Sequence, residues 1–395
     1  MSLIDTPNSN RLHIILIGRR NCGKSSMINA LTGQEVALVS DIAGTTTDPV
    51  SKAMEIHGIG PCLFVDTAGY DDQGVLGLQR VERTMKALEK ADIALLFIGN
   101  DVELDKQWLD RLAEKKIPVI PILNKVDLII DVEKRVTDIE SQTGKRPIPV
   151  SALQKKGISE VRQAIIRSLP EDFDAQTITG SLVTEGDLVL LVMPQDIQAP
   201  KGRLILPQVQ TIRELLDKKC MVMSCTTDQL SPTLKALAYP PKLIITDSQV
   251  FKTVYEQKPE QSKLTSFSVL FAALKGDIQY FVDSAAKIGQ LTSLSRVLIA
   301  EACTHAPLSE DIGRVKLPRL LRKRIGETLR IDMVAGSDFP DDLSSYDLVI
   351  HCGACMFNRK YVLSRVEQAR SQQVPMTNYG ITIAWLNGIL DNISF

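Results

Sequence analysis

The chain has 395 residues, 44% hydrophobic and 24% charged, with Lys+Arg 46 against Asp+Glu 47 and a formal net charge of −1. That length accommodates two or three domains with their own cores, and the composition excludes a disordered chain. The even charge balance gives no sign of a dedicated nucleic-acid binder, and no apolar run approaches the roughly 18 residues of a membrane span.

The N-terminus lacks the basic and long apolar segments of a signal peptide. Seven widely scattered cysteines, an odd number, argue against a disulfide framework. They point to a reducing cytoplasm in which thiols are free to bind metal.

From Leu12 to about Leu169 short apolar runs alternate with amphipathic segments. LHIILIG (12–18), CLFVD (62–66), IALLFIG (93–99) and PVIPILNK (118–125) read as buried parallel strands, and 147–150 as a short one. Between them 75–90, 104–116, 131–143 and 157–168 read as helices, so the alternation predicts a parallel sheet covered by helices. Pro170 and EDFDAQTITG (171–180) read as a linker.

Beyond it, DLVLLVMP (187–194) and KLIITD (242–247) predict strands, and 203–219 a helix with Pro207 near its first turn. Residues 181–260 form a small α/β domain in this reading. Strands at 296–303 and 346–352 and helices at 316–329 and 360–372 define a third α/β unit over 261–395. The sequence shows no internal repeat. Cys62 falls in a strand, and Cys220 and Cys225 bracket MVMS as core thiols.

GRRNCGKS (18–25) fits G-x-x-x-x-G-K-[ST] after a strand and at the start of a helix. Gly18 and Gly23 permit a tight turn whose N–H groups face phosphate oxygens, and the helix N-terminus adds partial positive charge. Lys24 reaches the β- and γ-phosphates, and the Ser25 hydroxyl can ligate Mg²⁺. DTAG (66–69) ends a strand: Asp66 can hold Mg²⁺ through water, and the Gly69 N–H can meet a γ-phosphate. In NKVD (124–127) Asp127 can accept two N–H bonds from guanine, and SAL (Ser151, Ala152, Leu153) can offer backbone N–H to the guanine carbonyl.

In this order the segments closely resemble the G-domain of the GTPase superfamily, which implies a Ras-like P-loop fold over 1–170 and binding of GTP. The resemblance adds Ser26, Asn124 and Lys125 to the nucleotide-binding set. DIAGTTTDPV (41–50) resembles switch I of the tRNA-modification and ribosome-assembly GTPases, so Thr46, or failing it Thr45, would ligate Mg²⁺ in the GTP state.

Asn21 stands where potassium-activated members hold K⁺ beside the phosphates, and with Lys24 and Thr46 it makes up the catalytic set. Tyr70 occupies the place of the water-orienting glutamine of small signalling GTPases. No carboxylate lies between Gln73 and Gln79, and Asp71 and Asp72 read as solvated loop acids, so no water-positioning residue is assigned. Slow, K⁺-stimulated GTP hydrolysis is the expectation.

CTH (303–305) follows one predicted strand and HCGAC (351–355) another, so two strand-end loops could converge with Cys303, Cys352, Cys355, His305 and His351. The C-x-x-C spacing lets both sulfurs face one centre, with Gly353 permitting the bend. A metal-free Cys/His cluster, structural zinc and an iron–sulfur cluster all fit, and spacing does not separate the last two.

The whole combination resembles the [FeFe]-hydrogenase maturation GTPases, the HydF family, over essentially the full chain. Residues 199–217 look like that family's dimerisation domain. The resemblance implies a [4Fe-4S] cluster on Cys303, Cys352 and Cys355, with His305 and His351 as ligands or as donors behind the ligands. It further implies a homodimeric scaffold and carrier of a diiron precursor for the apo-hydrogenase, working with radical-SAM maturation enzymes.

KLPRLLRKRIGETLR (316–330) carries six basic residues against one acid, either a solvated helix face or a dock for an acidic partner or anionic precursor. A GTPase acting on RNA and a zinc-stabilised GTPase switch are the rival functions.

Overall fold

The computed structural model describes residues 6–32, 50–56, 58–67, 69, 75–99, 101–169, 177–194, 204–302, 312–336 and 338–395. The chain divides into two compact units, Met1–Asp174 and Ala175–Phe395. No described helix is long and apolar enough to cross a membrane.

The first unit runs β1 (Leu12–Ile17), α1 (Lys24–Thr32), β2 (Val50–Ile56), β3 (Gly60–Asp66), α2 (Val75–Leu88), β4 (Ile93–Phe97), α3 (Val102–Glu114), β5 (Val119–Leu123), α4 (Val132–Thr143), β6 (Ile148–Pro149) and α5 (Ile158–Arg167). Its sheet has the order β2-β3-β1-β4-β5-β6, parallel throughout except for the β2–β3 pair.

β1 and β4 are buried at every position because helices cover both faces, which is why their sequences are unbroken apolar runs. Ile14 and Leu16 pack with Met27, Val161 and Ile165 on one side; Ile15 and Ile17 pack with Leu88, Trp108 and Ile139 on the other. Asp101 and Asp131 accept the N-cap bonds of α3 and α4. The predicted strands and helices recur here with small shifts. β2 was not expected: it is an exposed antiparallel edge strand whose VSKAMEI lacks an apolar run.

The second unit continues with β7 (Leu188–Val192), α6 (Leu206–Asp217), β8 (Met221–Cys225), α7 (Leu230–Ala236), β9 (Leu243–Thr246), α8 (Phe251–Gln257), β10 (Lys263–Ser266), α9 (Phe267–Lys275) and α10 (Ile278–Ala285). It ends with β11 (Arg296–Glu301), α11 (Leu317–Ile325), β12 (Arg330–Ala335), β13 (Leu348–His351), α12 (Arg359–Ser371), β14 (Met376–Asn378) and α13 (Tyr379–Leu386).

Three expectations change. β10 pairs with β9, so the middle sheet takes its last strand from beyond residue 260, where the boundary had been drawn. Ile178 and Thr179, assigned to the linker, donate backbone N–H to the Glu214 carboxylate on α6 and are part of the fold. The helix expected over 316–329 stops at Ile325, because Gly326 at φ 145° turns the chain into β12.

The unit also contains a repeat that the sequence did not reveal. Its two all-parallel sheets have the same order, β10-β9-β7-β8 and β14-β13-β11-β12. Val189 pairs with Val222 and Leu243 as Val297 pairs with Ile331 and Leu348. Thr265 lies opposite Ile245 as Thr377 lies opposite Ile350.

From the last strand through the closing helix, Thr265, Ala272, Leu274 and Gly276 recur as Thr377, Ala384, Leu386 and Gly388. Ser266 and Asn378 both cap those helices with their side chains. In this register Asp247, just after β9, corresponds to Cys352, just after β13. One core joins both sheets, with Leu190, Ile244 and Phe251 in the same cluster as Leu298, Ile350 and Val366.

Candidate functional site

The loop from β1 to α1 is shaped by its glycines. A Cβ at Gly18 would stand 2.7 Å from both Cys22 Sγ and Phe97 Cβ. Gly23, at φ 94°, would drive a Cβ into Asn124 Nδ2. Asn21 also adopts the left-handed region, at φ 56°, and is exposed.

Lys24 is buried and donates from Nζ to Gly18 O at 3.0 Å and Arg19 O at 2.9 Å, so its ammonium lies within the loop's own carbonyls. Ser25 Oγ donates to Asp66 Oδ2 at 2.6 Å, bringing the two candidate Mg²⁺ groups into direct contact. Burial raises the Asp66 carboxyl above its ordinary value, opposed by the Ser25 bond and the Lys24 charge. A hard oxygen pair at a strand end, beside a phosphate-shaped turn, suits a divalent cation.

The base end is braced by Asn124, whose Oδ1 accepts from Ala152 N at 3.1 Å and whose Nδ2 donates to Cys22 O at 2.9 Å. Asn124 thus ties the phosphate loop to the SAL loop. Lys125 sits at φ 62°, Asp127 is exposed and available to a base, and Ser151 Oγ accepts from Gln154 N to close its turn. Thr67 Oγ1 donates to Leu16 O at 2.7 Å, fixing the end of β3 beside β1, with Gly69 buried just beyond. Thr45, Thr46, Tyr70, Asp71 and Asp72 lie outside the described residues.

The second candidate site is the loop after β13. Cys352 N donates to Ala300 O at 3.0 Å, and its Sγ accepts from Ala302 N at 3.0 Å and Ala354 N at 3.4 Å. Two backbone N–H groups aimed at one sulfur favour the thiolate, while burial pushes the Cys352 thiol up to about 11. The bend expected at Gly353 is made by Ala354, which takes φ 48°; Gly353 is not left-handed. Lys275, 3% exposed at the end of α9, donates to Ala354 O at 3.0 Å, Cys355 O at 3.2 Å and Phe357 O at 2.7 Å.

His351 is fully buried and both its ring nitrogens are engaged, Nδ1 with Cys352 O at 2.8 Å and Nε2 with Arg365 at 2.8 Å. Burial, with the Arg365 charge beside it, holds the imidazole down to about 3 and therefore neutral. Asn378 donates from Nδ2 to His351 O at 3.3 Å and accepts from Gly380 N at 2.8 Å. Cys303 and His305 lie outside the described residues, and among the described residues no three potential ligands gather.

Sequence reasoning missed Lys275 and Arg365. Each left a trace: Lys275 closes the otherwise apolar FSVLFAALK, and Arg365 stands at helical spacing from the buried Tyr361, Val362 and Ala369.

A family model described as the 50S ribosome-binding GTPase matches residues 13–125. The hydrogen maturase F dimerization domain matches 178–276 and the hydrogen maturase F tetramerization domain 279–393. Among curated proteins, a tRNA modification GTPase MnmE of Nitrosomonas europaea is 37% identical over 161 residues, 40% of this chain and 34% of that protein. A GTPase Der of Wolinella succinogenes is 38% identical over 182 residues, 43% of this chain and 38% of its own length. The chain thus spans about a third of the length of these relatives.

Among solved structures, Aquifex aeolicus Era bound to GDP and AlF4⁻ aligns with 57% of this chain and 98% of its own, at 20% identity and TM-score 0.37. With the two maturase-specific domains following one another behind a GTPase domain, the chain belongs to the hydrogen maturase F family of hydrogenase-maturation GTPases.

Proposed function

We propose that the chain is a GTP hydrolase and an iron–sulfur scaffold that carries a diiron precursor to an apo-[FeFe]-hydrogenase. The observation that carries this reading is the loop Cys352–Cys355 at a strand end, held by buried side chains, in a domain matched by a hydrogen maturase F model. The rival reading, an RNA-directed GTPase, draws support from the ribosome-binding GTPase model over 13–125 and from relatives that cover 40% and 43% of this chain, whereas 178–276 and 279–393 are matched by maturase models.

In the nucleotide unit, the P-loop N–H groups and the Lys24 ammonium bind the β- and γ-phosphates, and Asp127 selects guanine. Mg²⁺, when bound, would screen the phosphate charge. Ser25 and Asp66 are its protein contacts, with Thr46 joining them in the GTP state. Asn21 holds K⁺, whose charge supports the transition state as an arginine finger does.

In the second unit, Cys303, Cys352 and Cys355 would hold a [4Fe-4S] cluster, and three thiolates for four irons would leave a labile position for cargo. The backbone N–H groups of Ala302 and Ala354 favour the Cys352 thiolate, against the burial that pushes the thiol up to about 11. The protein works as a cytoplasmic oligomer, a homodimer at least, in company with radical-SAM maturation enzymes; the dimerization and tetramerization matches support its assembly.

Anaerobic reconstitution tests the reading. Iron, sulfide and a brown chromophore that are lost on Cys→Ser at 303, 352 and 355 are expected; stoichiometric zinc overturns it. GTP turnover is expected to be slow and faster in KCl than in NaCl, and equal rates would remove the role given to Asn21.

A further inference from the structure

Arg365 is 2% exposed, on the inner face of α12. Its guanidinium is sandwiched between Phe339 and Tyr361, 4.6 and 4.4 Å from the ring centroids. It donates to His351 Nε2 at 2.8 Å, to Gly336 O and to the Tyr361 hydroxyl, while its Nε has no hydrogen-bond partner. Among the described residues no carboxylate pairs with it. Burying a cation costs several kcal/mol unless something compensates, and ring faces and neutral acceptors return part of that.

The position of the charge is informative. Gly336 follows β12 and His351 ends β13, and β11 lies between those two strands in the sheet. Arg365 therefore reaches the carboxyl ends of β12 and β13, on either side of β11, beside the loop that carries Cys352. An arginine can only donate, so His351 Nε2 must accept; its proton is then on Nδ1, which donates to Cys352 O at 2.8 Å. Coordination by Nε2 would require displacing Arg365 and leaving the guanidinium further unsatisfied.

We propose that Arg365 is a positioning residue of the iron–sulfur site: it keeps His351 Nε2 from coordinating and supplies a fixed, buried positive charge beside the Cys352 loop, where it would favour an anionic cluster. The proposal rests on the cluster reading above. Three thiolates on a doubly positive cluster core leave the site anionic, and reduction makes it more so. A buried cation nearby then favours the reduced form.

The test uses the full chain, reconstituted anaerobically with iron and sulfide, as wild type, Arg365→Met, Arg365→Lys and His351→Asn. Iron content, the reduction potential and pulsed EPR of the reduced cluster after ¹⁵N-histidine labelling are measured. Arg365→Met is expected to shift the potential to more negative values, and Arg365→Lys to restore it most of the way. His351→Asn, whose amide can still donate to Cys352 O, keeps the iron content and the wild-type EPR signal.

A potential indifferent to Arg365→Met, or a histidine nitrogen coupling that His351→Asn abolishes, overturns the role. Should Arg365→Met fail to fold by circular dichroism, Arg365→Gln and His351→Asn are read by the same criteria. A wild-type chain that takes up no iron refutes the cluster reading itself, and this role with it. A cluster-bearing wild type with an indifferent Arg365 refutes only the role.

Discussion

Lys275 donates from its ammonium to the carbonyl of Phe357 at 2.7 Å, so the closing helix of the first repeat grips the cysteine loop of the second. The same ammonium holds Ala354 O and Cys355 O. Its counterpart in the second repeat is Asn387, so the two copies differ at the residue that reaches the cysteine loop.

Lys275→Met keeps the buried volume and removes all three bonds. Losing three charge-assisted bonds, while Ala354 O keeps its bond from Phe357 N, costs about 2–4 kcal/mol in total. A lowered melting temperature and reduced iron uptake are expected. Wild-type melting would show that the carbonyls find other partners.

The left-handed residue of the loop is Ala354, at φ 48°, and not Gly353. Ala354→Gly relieves roughly 1 kcal/mol of steric cost and adds a similar entropy to the unfolded chain, leaving the melting temperature within about 2 °C. A Cβ at Gly353 meets nothing nearer than Ser268 Oγ at 3.7 Å. Gly353→Ala should therefore be neutral or stabilising by about 0.5 kcal/mol. A loss above about 1 kcal/mol in thermal melts would restore the glycine to the role the sequence suggested.

Asp127 presents an exposed carboxylate beyond the Asn124 brace. Asp127→Asn replaces an acceptor pair with a mixed donor and acceptor, which suits the 2-carbonyl of xanthine rather than the 2-amino group of guanine. GTP affinity should fall on the order of 100-fold while xanthosine triphosphate binding improves, read by competition against a fluorescent nucleotide. Unchanged GTP affinity would place the base elsewhere.

His13, buried in β1 with Nε2 bonded to Asn8 O at 2.8 Å, is held down to about 4 by burial. Above pH 6.5 it is neutral in both states and has no differential effect. As pH falls from 6.5 toward 4 the unfolded chain takes up a proton that the folded one resists. The first unit should lose on the order of 3 kcal/mol across that window. Denaturant titrations of wild type and His13→Gln check this: the variant should lose the slope, and identical slopes would reject it.

The N-terminal half was legible because its signals are local. GRRNCGKS, DTAG and NKVD each combine a strand end with a short turn, and a parallel sheet brings strand ends to one edge. That Asn124 braces the phosphate loop against Gly23 and Cys22 was not legible, because the contact spans a hundred residues of sequence.

HCGAC raised the expectation of a metal site through residue type and spacing alone. What tertiary structure decided is how its members divide the work. Cys352 O and Arg365 take the two nitrogens of His351, Ala354 makes the turn, and Lys275 arrives from another helix. The repeat of two sheets stayed hidden for the same reason. Strand register is an agreement between distant segments, and packing preserves it while permitting Asp247 to stand where the other copy has Cys352. Local sequence determines which chemistry is present; long-range packing determines which atoms remain free to perform it.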